Sequence, residues 1–364
     1  MKIKEVIDYL EKKFPLYWQE DYDNCGVQCG DINKEITGVL VCFNFSEKAL
    51  EEAINKKANL VISHHPLIFK PLRKIEPVNV VGRLIFKAIE KGIVLYSMHT
   101  NIDSGIGGGN SLFAEKLELQ DVKVLAPKAP FMRKLIFFAP KEQEIPIMDA
   151  LFAVGCGTIG NYKNCSFKST GEGTFLPTDS AKPYIGELDI TEVVDEVKVE
   201  MIFPTAIQSK VIQTLYRYHP YEEPAFDIFS LENQMQNIGL GKVGKLKQPM
   251  SAEDFFQYIK QKLQIDHFRV AGDLNRTIEK VAVCGGGGSG LIPQALAYGA
   301  DIFITGDIKY HDFLSVDNQM IIADIGHYEG ECFIKEIIYN KVKEKFSNFA
   351  TTIFEGEKSG INLV

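Results

Sequence analysis

The chain has 364 residues, of which 45% are hydrophobic and 24% charged, proportions that are ordinary for a globular protein of two or three domains. The formal net charge of −8 argues against general nucleic-acid binding and against binding to anionic membranes. No apolar run approaches the ~20 residues of a membrane span, and the first residues lack the pattern of a signal peptide, so we expect none. Seven scattered cysteines favour reduced thiols over a disulfide framework, so we expect a cytoplasmic protein with no membrane partner.

Strands and helices alternate in residues 1–127, which we predict to form a first α/β lobe. Apolar runs of strand length follow amphipathic segments that begin with capping residues and end at glycine. Such alternation is typical of parallel βαβ units. The predicted elements are strand 38–42, a helix capped by Ser46 that ends near residue 57, strand 60–63, helix 80–91 and strand 93–96.

Two of these predicted strands end in potential metal ligands. Strand 60–63 runs directly into His64 and His65, and strand 93–96 leads to His99 and Asp103. Open α/β sheets bind their ligands outside the carboxyl ends of the strands. Neighbouring strand residues point to opposite faces, so both adjacent imidazoles can converge only if the chain leaves the strand at this point.

The pattern changes in residues 128–247, which we predict to be an inserted domain. Short strands with antiparallel alternation, of which 197–201 is the clearest, surround two helices and a glycine-rich loop between residues 155 and 173. This order of elements predicts a ferredoxin-like βαββαβ module of the α+β class.

The first pattern returns in residues 248–364, which we predict to form a second α/β lobe. A helix is expected over 252–263, and a strand over 281–283 enters a run of glycines. Two further strands end at Asp307 and at His327, and the last of them leads into a helix that carries Glu331. Residues 57–65 match residues 299–307 in pattern. We therefore expect two pseudo-repeated α/β lobes that form one split domain, with a site in the cleft between them.

The residues at these strand ends suit a transition-metal site. Imidazoles combined with carboxylates favour Zn, Fe, Mn, Ni or Co over Mg or Ca alone. Three histidines and two carboxylates exceed what one tetrahedral ion needs, whereas two ions ~3.5–4 Å apart would use them all. The alternative is that each histidine is a solvated or hydrogen-bonded loop residue, but four of the seven histidines at strand ends favour the metal. The candidates are His64, His65, His99, Asp103, Asp307, His327 and Glu331.

Two weaker signals remain open. Residues 285–290 satisfy the G-x-G-x-x-G spacing of a dinucleotide-binding turn, with Asp307 as the acid that should follow. The same glycines also suit a tight turn whose backbone amides contact a phosphate or a substrate. His311 is either a residue that supports the metal ligands or a surface helix residue.

Five motifs of the chain resemble the Nif-three-like dinuclear metal-centre family, whose bacterial members are labelled GTP cyclohydrolase 1 type 2 homologs. They are Ile62–Pro66, His99–Asp103, Thr305–Asp307 with Tyr310–His311, Gly326–Glu331 and the N-terminal Asp23–Gln28. The middle stretch, with His219–Pro224, is similar to the PII/CutA-like insert of the longer members. The resemblance implies a toroidal homohexamer, a trimer of dimers, with two divalent metal ions per subunit. It assigns the metal ligands to His64, His65, Asp103, His327 and Glu331, with Glu331 as a bridge.

The resemblance also implies an activity, the hydrolytic opening of the GTP purine ring by a metal-activated water with loss of formate. Asp307, His99 and His311 are then candidates for proton transfer or for orienting the ligands. We therefore expect a metal-dependent hydrolase that acts on a nucleotide or a related small molecule. A non-catalytic regulatory hexamer that binds metal or a metabolite is the main alternative, and a protein-interaction scaffold is a further one.

Overall fold

The computed structural model describes residues 1–128, 131–160, 162–233 and 235–361. The chain divides into two compact units, of which the first comprises residues 1–128 and 235–364 and the second residues 129–234. Residues 235–247, which we expected in the inserted domain, belong to the first unit because they pair within one of its sheets. Among the helices of the described residues, none has the length and apolar character needed to cross a membrane.

The elements are named here in chain order. The first part of the first unit contains α1 Ile3–Lys13, β1 Gly26–Cys29, β2 Gly38–Cys42, α2 Glu47–Asn55, β3 Leu60–Ser63, α3 Val80–Glu90, β4 Val94–Ser97, α4 Thr100–Ser104, α5 Gly109–Lys116 and β5 Gln120–Lys128. The second unit contains β6 Met132–Pro140, α6 Glu144–Ala153, β7 Phe167–Phe175, β8 Glu192–Pro204, α7 Gln208–Tyr218 and β9 Phe226–Ser230. The first unit then continues with β10 Met235–Ser251, α8 Ala252–Leu263, β11 Arg269–Ala271, β12 Thr277–Gly287, α9 Ile292–Ala297, β13 Ile302–Gly306, α10 Tyr310–Leu314, β14 Ile321–Asp324, α11 His327–Glu331, α12 Ile334–Lys345 and β15 Ala350–Ile353.

The first sheet has five strands in the order β1-β4-β3-β2-β15. The predicted parallel pairing is present, since β2, β3 and β4 are mutually parallel and fully buried, as expected for strands covered on both faces. Ser46 caps α2 as predicted, because its hydroxyl accepts a hydrogen bond from the amide of Ala49 at 3.2 Å. Ser63 and Ser97 are paired at the ends of β3 and β4. The segments that carry His64 and His99 therefore leave the sheet at the same edge.

The second sheet has six strands in the order β11-β14-β13-β12-β10-β5. Strands β12, β13 and β14 are parallel, whereas β10 pairs antiparallel with both β12 and β5. Thr305 in β13 pairs with Asp324 in β14, so the residues that follow these strands emerge side by side. They are Asp307 and His327.

The two sheets of the first unit share one hydrophobic core. Side chains of β2, β3 and β4 and side chains of β12, β13 and β14 belong to the same buried cluster, together with residues of α1, α5, α8 and α12. Burial of this extent contributes on the order of 1.5–3 kcal/mol for each large apolar side chain. The core therefore holds the carboxyl ends of both sheets in a defined relation to each other.

The second unit is an antiparallel sheet in the order β7-β8-β6-β9 with α6 and α7 in the connections. Its elements follow each other as β-α-β-β-α-β, the order that the sequence pattern predicted. Val197, Val199 and Met201 alternate along β8 into a core shared with residues of both helices. One face of the sheet thus packs on helices, and the residues between these three point to the other face.

Candidate metal centre

Four histidine rings meet at the carboxyl ends of the strands of the first unit. The ring centroid of His65 lies 4.9 Å from that of His64, 5.2 Å from that of His99 and 5.1 Å from that of His327. Strand β3 ends at Ser63 and the chain bends at His64 and His65, so the two adjacent imidazoles converge. The structure therefore brings together four of the histidines predicted from the sequence.

Glu331 is the centre of this cluster. Its Oε2 atom lies 3.4 Å from Nε2 of His64, 3.4 Å from Nε2 of His65 and 3.1 Å from Nε2 of His327. Helix α11 begins at His327 and ends at Glu331, so this pair shares one helical face as the spacing of four residues predicted. Asp103 approaches from α4, with Oδ2 3.8 Å from Nε2 of His64. Both carboxylates are buried, Glu331 with 4% and Asp103 with 6% exposed.

Two of the rings are oriented by neutral oxygen atoms from the N-terminal part of the first unit. Nδ1 of His64 lies 2.9 Å from the carbonyl oxygen of Met98, and Nδ1 of His65 lies 2.9 Å from Oδ1 of Asn44. Both oxygen atoms only accept hydrogen bonds, so Nδ1 of each ring carries the proton. The Nε2 atom of each ring is therefore left with a free lone pair directed at Glu331.

The other two rings are oriented by carboxylates. Nδ1 of His327 lies 2.7 Å from Oδ2 of Asp307, and Nδ1 of His99 lies 2.8 Å from Oδ1 of Asp23. This is the arrangement in which an outer carboxylate fixes the tautomer of a metal-binding histidine and raises its basicity. Nε2 of His99 has no carboxylate at ion-pair distance among the described residues, whereas Nε2 of His327 faces Glu331.

The donor set fits a divalent cation. Nε2 of His64 and Oε2 of Glu331 are both buried and lack a hydrogen-bond partner among the described residues. A nitrogen lone pair that faces a carboxylate at 3.4 Å without a proton between them is unfavourable, and buried polar atoms of this kind need compensation. A metal ion between them would accept both lone pairs.

Three overlapping sets of ligand atoms have all members within 4.8 Å of one another. Glu331 belongs to two of them, one with His65 and His327 and the other with His64 and Asp103. The third set contains His64, His65 and His99. The described residues thus offer groups that can bind a metal on either side of Glu331.

Burial and the facing charged groups lower the pKa of His64 and Glu331 and raise the pKa of Asp103 and His327. Burial lowers the pKa of His64 to about 4, which keeps this ring neutral at pH 7. Burial and the Glu331 carboxylate raise the pKa of Asp103 well above its usual value. Burial also opposes ionisation of Glu331, but the three imidazoles that face it, those of His327, His64 and His65, hold the pKa of its carboxyl well below the usual range. The close contact with the Glu331 carboxylate raises the pKa of His327 to about 9, so metal binding has to displace a proton from this ring.

The glycine run of residues 285–290 makes room for Glu331. A Cβ atom on Gly286 would lie 2.1 Å from Oε1 of Glu331, and one on Gly285 would lie 2.9 Å from its Cγ atom. The amide of Gly285 already donates to Oδ1 of Asn110 at 2.9 Å. These contacts account for the two glycines at the end of β12 without a dinucleotide or a phosphate.

Asp307 and His311 differ in their relation to the cluster. Asp307 has a φ of +57°, which turns the chain after β13 and directs its carboxylate at His327. His311 is exposed in α10 beside the ring of Tyr310, and it belongs to none of the three ligand sets found among the described residues. A role for His311 stays a prediction.

Three groups that orient the rings were not predicted from the sequence: the Asp23 carboxylate, the Asn44 side-chain amide and the Met98 carbonyl. Asp23 lies in the N-terminal segment Asp23–Gln28, which contributes to the family resemblance, but the sequence pattern assigned no role to this residue. Asn44 and Met98 had no signal, because their contacts depend on how separate strands are arranged.

Comparisons with known proteins cover the whole chain. A family model described as Duf34/NIF3 (NGG1p interacting factor 3) matches residues 1–359. A protein of Bacillus subtilis strain 168 named GTP cyclohydrolase 1 type 2 homolog is 38% identical over 364 residues, which cover 99% of this chain and 95% of the relative. A Staphylococcus aureus protein with the same name is 37% identical, with 100% of this chain and 98% of the relative covered. The crystal structure of a Bacillus cereus protein related to NIF3 superposes with a TM-score of 0.81 at 36% identity and covers 100% of this chain and 99% of the other.

Proposed function

Because the chain belongs to the Duf34/NIF3 family, we propose that it is a dinuclear-metal-dependent hydrolase that acts on a nucleotide or a related small molecule. One observation carries this proposal. The Nε2 atoms of His64, His65 and His327 converge on the buried carboxylate of Glu331 within 3.1–3.4 Å, and all three offer lone pairs once the proton of His327 is displaced. Such a set of lone pairs is stabilised by cations, and it lies at strand ends, where α/β sheets bind their substrates.

Two divalent ions of Zn, Fe, Mn, Ni or Co are proposed for each subunit, bound on the two sides of Glu331. His65 and His327 would hold one ion, and His64 and Asp103 the other. Two such ions supply Lewis acidity and lower the pKa of water toward ~7. Two cations would favour the ionised form of both buried carboxylates and so oppose the effects of burial and of Glu331, which raise the pKa of Asp103.

His99 is the residue best placed to move a proton. Its Nδ1 is held by Asp23, its side chain is 15% exposed, and its Nε2 atom is directed at the cluster. Asp23 also accepts hydrogen bonds from the amide and the hydroxyl of Thr100, so its carboxylate is fixed. A carboxylate that holds the far nitrogen stabilises the imidazolium formed when Nε2 takes a proton from water. Asp307 acts in the proposal by orienting His327.

The assembly and the architecture complete the proposal. We propose that the two parts of the first unit, residues 1–128 and 235–364, are pseudo-repeated lobes of one split metal-binding domain, and that the second unit is a PII/CutA-like insert. The resemblance supports a toroidal homohexamer built as a trimer of dimers, in the cytoplasm. All seven cysteines are free thiols, in keeping with that location.

Turnover by metal-loaded protein tests the activity. Since relatives carry the name GTP cyclohydrolase 1 type 2 homolog, GTP is the first substrate, with formate release as the readout. Nucleotides, phosphoesters and cyclic amides follow as a panel. We expect Glu331→Gln to bind less metal and to lose turnover, whereas Glu336→Gln, at an exposed position of helix α12, should keep both. Protein with stoichiometric metal that leaves GTP and the whole panel unchanged would contradict the hydrolase proposal.

A non-catalytic regulatory hexamer is the second candidate, because the second unit has a cavity of about 610 Å³ built from its own residues. In that case metal-loaded protein lacks turnover while it binds a ligand in the second unit. A turnover that Glu331→Gln abolishes would rule this candidate out.

A further inference from the structure

The cavity of the second unit lies on the helix-free face of its sheet. Its volume of about 610 Å³ falls within the ~300–1,000 Å³ typical of small-molecule sites. Glu196 and Lys198 of β8 line it, whereas the residues between and after them, Val197 and Val199, point into the core under the helices. The cavity shares no residue with the candidate metal centre.

Two glycines of β7 keep the floor of this cavity free. Gly171 pairs with Glu196 across the sheet, and directly paired residues point to the same face. A Cβ atom on Gly171 would meet no other atom within 4 Å, so this position faces open space. A Cβ atom on Gly173 would lie 2.2 Å from Oε2 of Glu196, so the absence of a side chain there lets Glu196 lie across β7.

Aromatic rings form the walls. The ring of Tyr221 lies 6.3 Å from that of Phe175 and 6.2 Å from that of Tyr184, with interplanar angles of 51° and 49°. His219 holds the segment in place, because its Nδ1 accepts from the amide of Tyr221 at 3.1 Å and its Nε2 donates to the carbonyl of Phe138 at 2.8 Å. The conspicuous His219–Pro224 motif thus positions an aromatic wall.

The charge of the lining is negative. Three glutamates, Glu196, Glu222 and Glu223, face two lysines, Lys182 and Lys198. Glu172 also borders the cavity, but it pairs with Asp195, so its side chain points to the other face of the sheet. Nζ of Lys198 is bound to Glu200 at 2.8 Å, and Glu200 is not part of the lining. Glu196 has no ion pair among the described residues, and it lies beside the Tyr221 hydroxyl, whose pKa is raised by burial and by this carboxylate.

We propose that this cavity binds an organic cation, an alkylated ammonium group carried on an apolar body. The faces of aromatic rings attract such cations, and the attraction strengthens when water is excluded. Glu196 would supply the counter-charge, while Phe175, Tyr184 and Tyr221 would contact the alkyl groups. The excess of carboxylates opposes phosphates and other anions.

Calorimetric titration of the full-length protein tests this proposal, with benzyltrimethylammonium as the probe and benzyl alcohol as its neutral counterpart. We expect the cation to bind and the alcohol to bind at least about tenfold more weakly. Glu196→Gln, which keeps the shape of the side chain, should weaken binding of the cation at least about tenfold. Gly171→Leu should abolish it by filling the floor. Asp195→Asn is the matched control, because Asp195 is exposed next to Glu196 and lies outside the lining.

Three results would overturn the proposal: no binding of the cation to the wild type, equal affinity for the alcohol, or equal affinity of the Glu196→Gln and Asp195→Asn variants. Preferential binding of ATP in this cavity would also overturn it, since a nucleotide has the opposite charge. Thermal unfolding midpoints identify a variant that does not fold. If Gly171→Leu fails to fold, the affinity of the isosteric Glu196→Gln variant for the cation, compared with that of the wild type, tests the proposal.

Discussion

Gly286 sets how closely β12 approaches the central carboxylate of the metal centre. Its φ is +63°, and a Cβ atom there would lie 2.1 Å from Oε1 of Glu331. We expect Gly286→Ala to displace Glu331 and to lower metal affinity by about 10–100-fold, as loss of a supporting contact does in metal sites. Gly290→Ala is the control, since a Cβ atom on Gly290 meets nothing within 4 Å. Metal titrations check the prediction, which is wrong if both variants bind metal like the wild type.

Asp23 determines the tautomer of His99. Its pKa lies well below the usual value because hydrogen bonds from His99, Thr100 and Cys25 outweigh the effect of burial. In Asp23→Asn the amide supports the imidazolium less well, and we expect turnover of the metal-loaded protein to fall at least about 10²-fold. Metal content should stay near that of the wild type, because Asp23 contacts none of the proposed ligands directly.

The pH profile separates proton transfer from a structural role of Asp23. If His99 accepts the proton, the acidic limb of the profile shifts in Asp23→Asn, whereas general loss of structure lowers the rate equally at every pH. Asp21→Asn, at an exposed position of the same segment, is the control. An unshifted profile would show that His99 does not accept the proton. A loss of bound metal large enough to account for the loss of rate would also contradict this role of His99.

At the level of the element, β10 carries an uncompensated buried charge. Lys242 is 4% exposed and has no hydrogen bond or ion pair to any described residue. Burial lowers its pKa from 10.5 to about 8. A lysine whose folded-state pKa is depressed binds its proton more tightly in the unfolded state, so the protonated form destabilises the fold.

The stability of the wild type should therefore rise between about pH 8 and pH 10.5 relative to Lys242→Met. Below about pH 8, where both states are protonated, we expect Lys242→Met to be more stable by up to about 3 kcal/mol. Urea unfolding of both proteins at several pH values measures this difference. Lys247→Met, at an exposed position of the same strand, should unfold like the wild type. A difference that does not change with pH would show that Lys242 is not the group that titrates.

Strand β10 is also one of the elements that the sequence pattern missed, together with β1, β5, β11 and β15. Glycines at positions 239, 241 and 244 interrupt the alternation that identifies a strand, and the partners in β5 and β12 are far away in the chain. By contrast, β2, β3 and α8 were predicted with the bounds that the structure shows. Their signals, continuous apolar runs and a capped amphipathic helix, are local.

At the scale of the whole molecule, the chain leaves the first unit and returns to it at two paired strand ends of the second sheet. Lys128 at the end of β5 is paired with Met235 at the start of β10. Because paired residues of antiparallel strands lie ~4.5–5.5 Å apart, a two-residue turn can connect them. We therefore expect a variant in which Asn-Gly replaces residues 129–234 to keep the fold of the first unit and its metal affinity.

Circular dichroism, thermal unfolding and metal titration of this deletion variant check the prediction. The same deletion should remove binding of benzyltrimethylammonium. An aggregated or metal-free deletion variant would contradict the independence of the first unit, provided that the matched full-length protein binds metal under the same conditions.

The sequence by itself determined the apolar parallel strands such as β2 and β3, the helix that carries Glu331 and the donor types at the strand ends, because each of these is a local pattern of a few residues. The family resemblance was confirmed over the whole chain. Only the tertiary structure decided which oxygen atoms orient the rings and why Gly285 and Gly286 are glycines. The physical reason is distance along the chain, since Asp23 and His99 are 76 residues apart and His65 and His327 are 262 apart. Contacts of this range follow from strand order and core packing, which no local periodicity encodes.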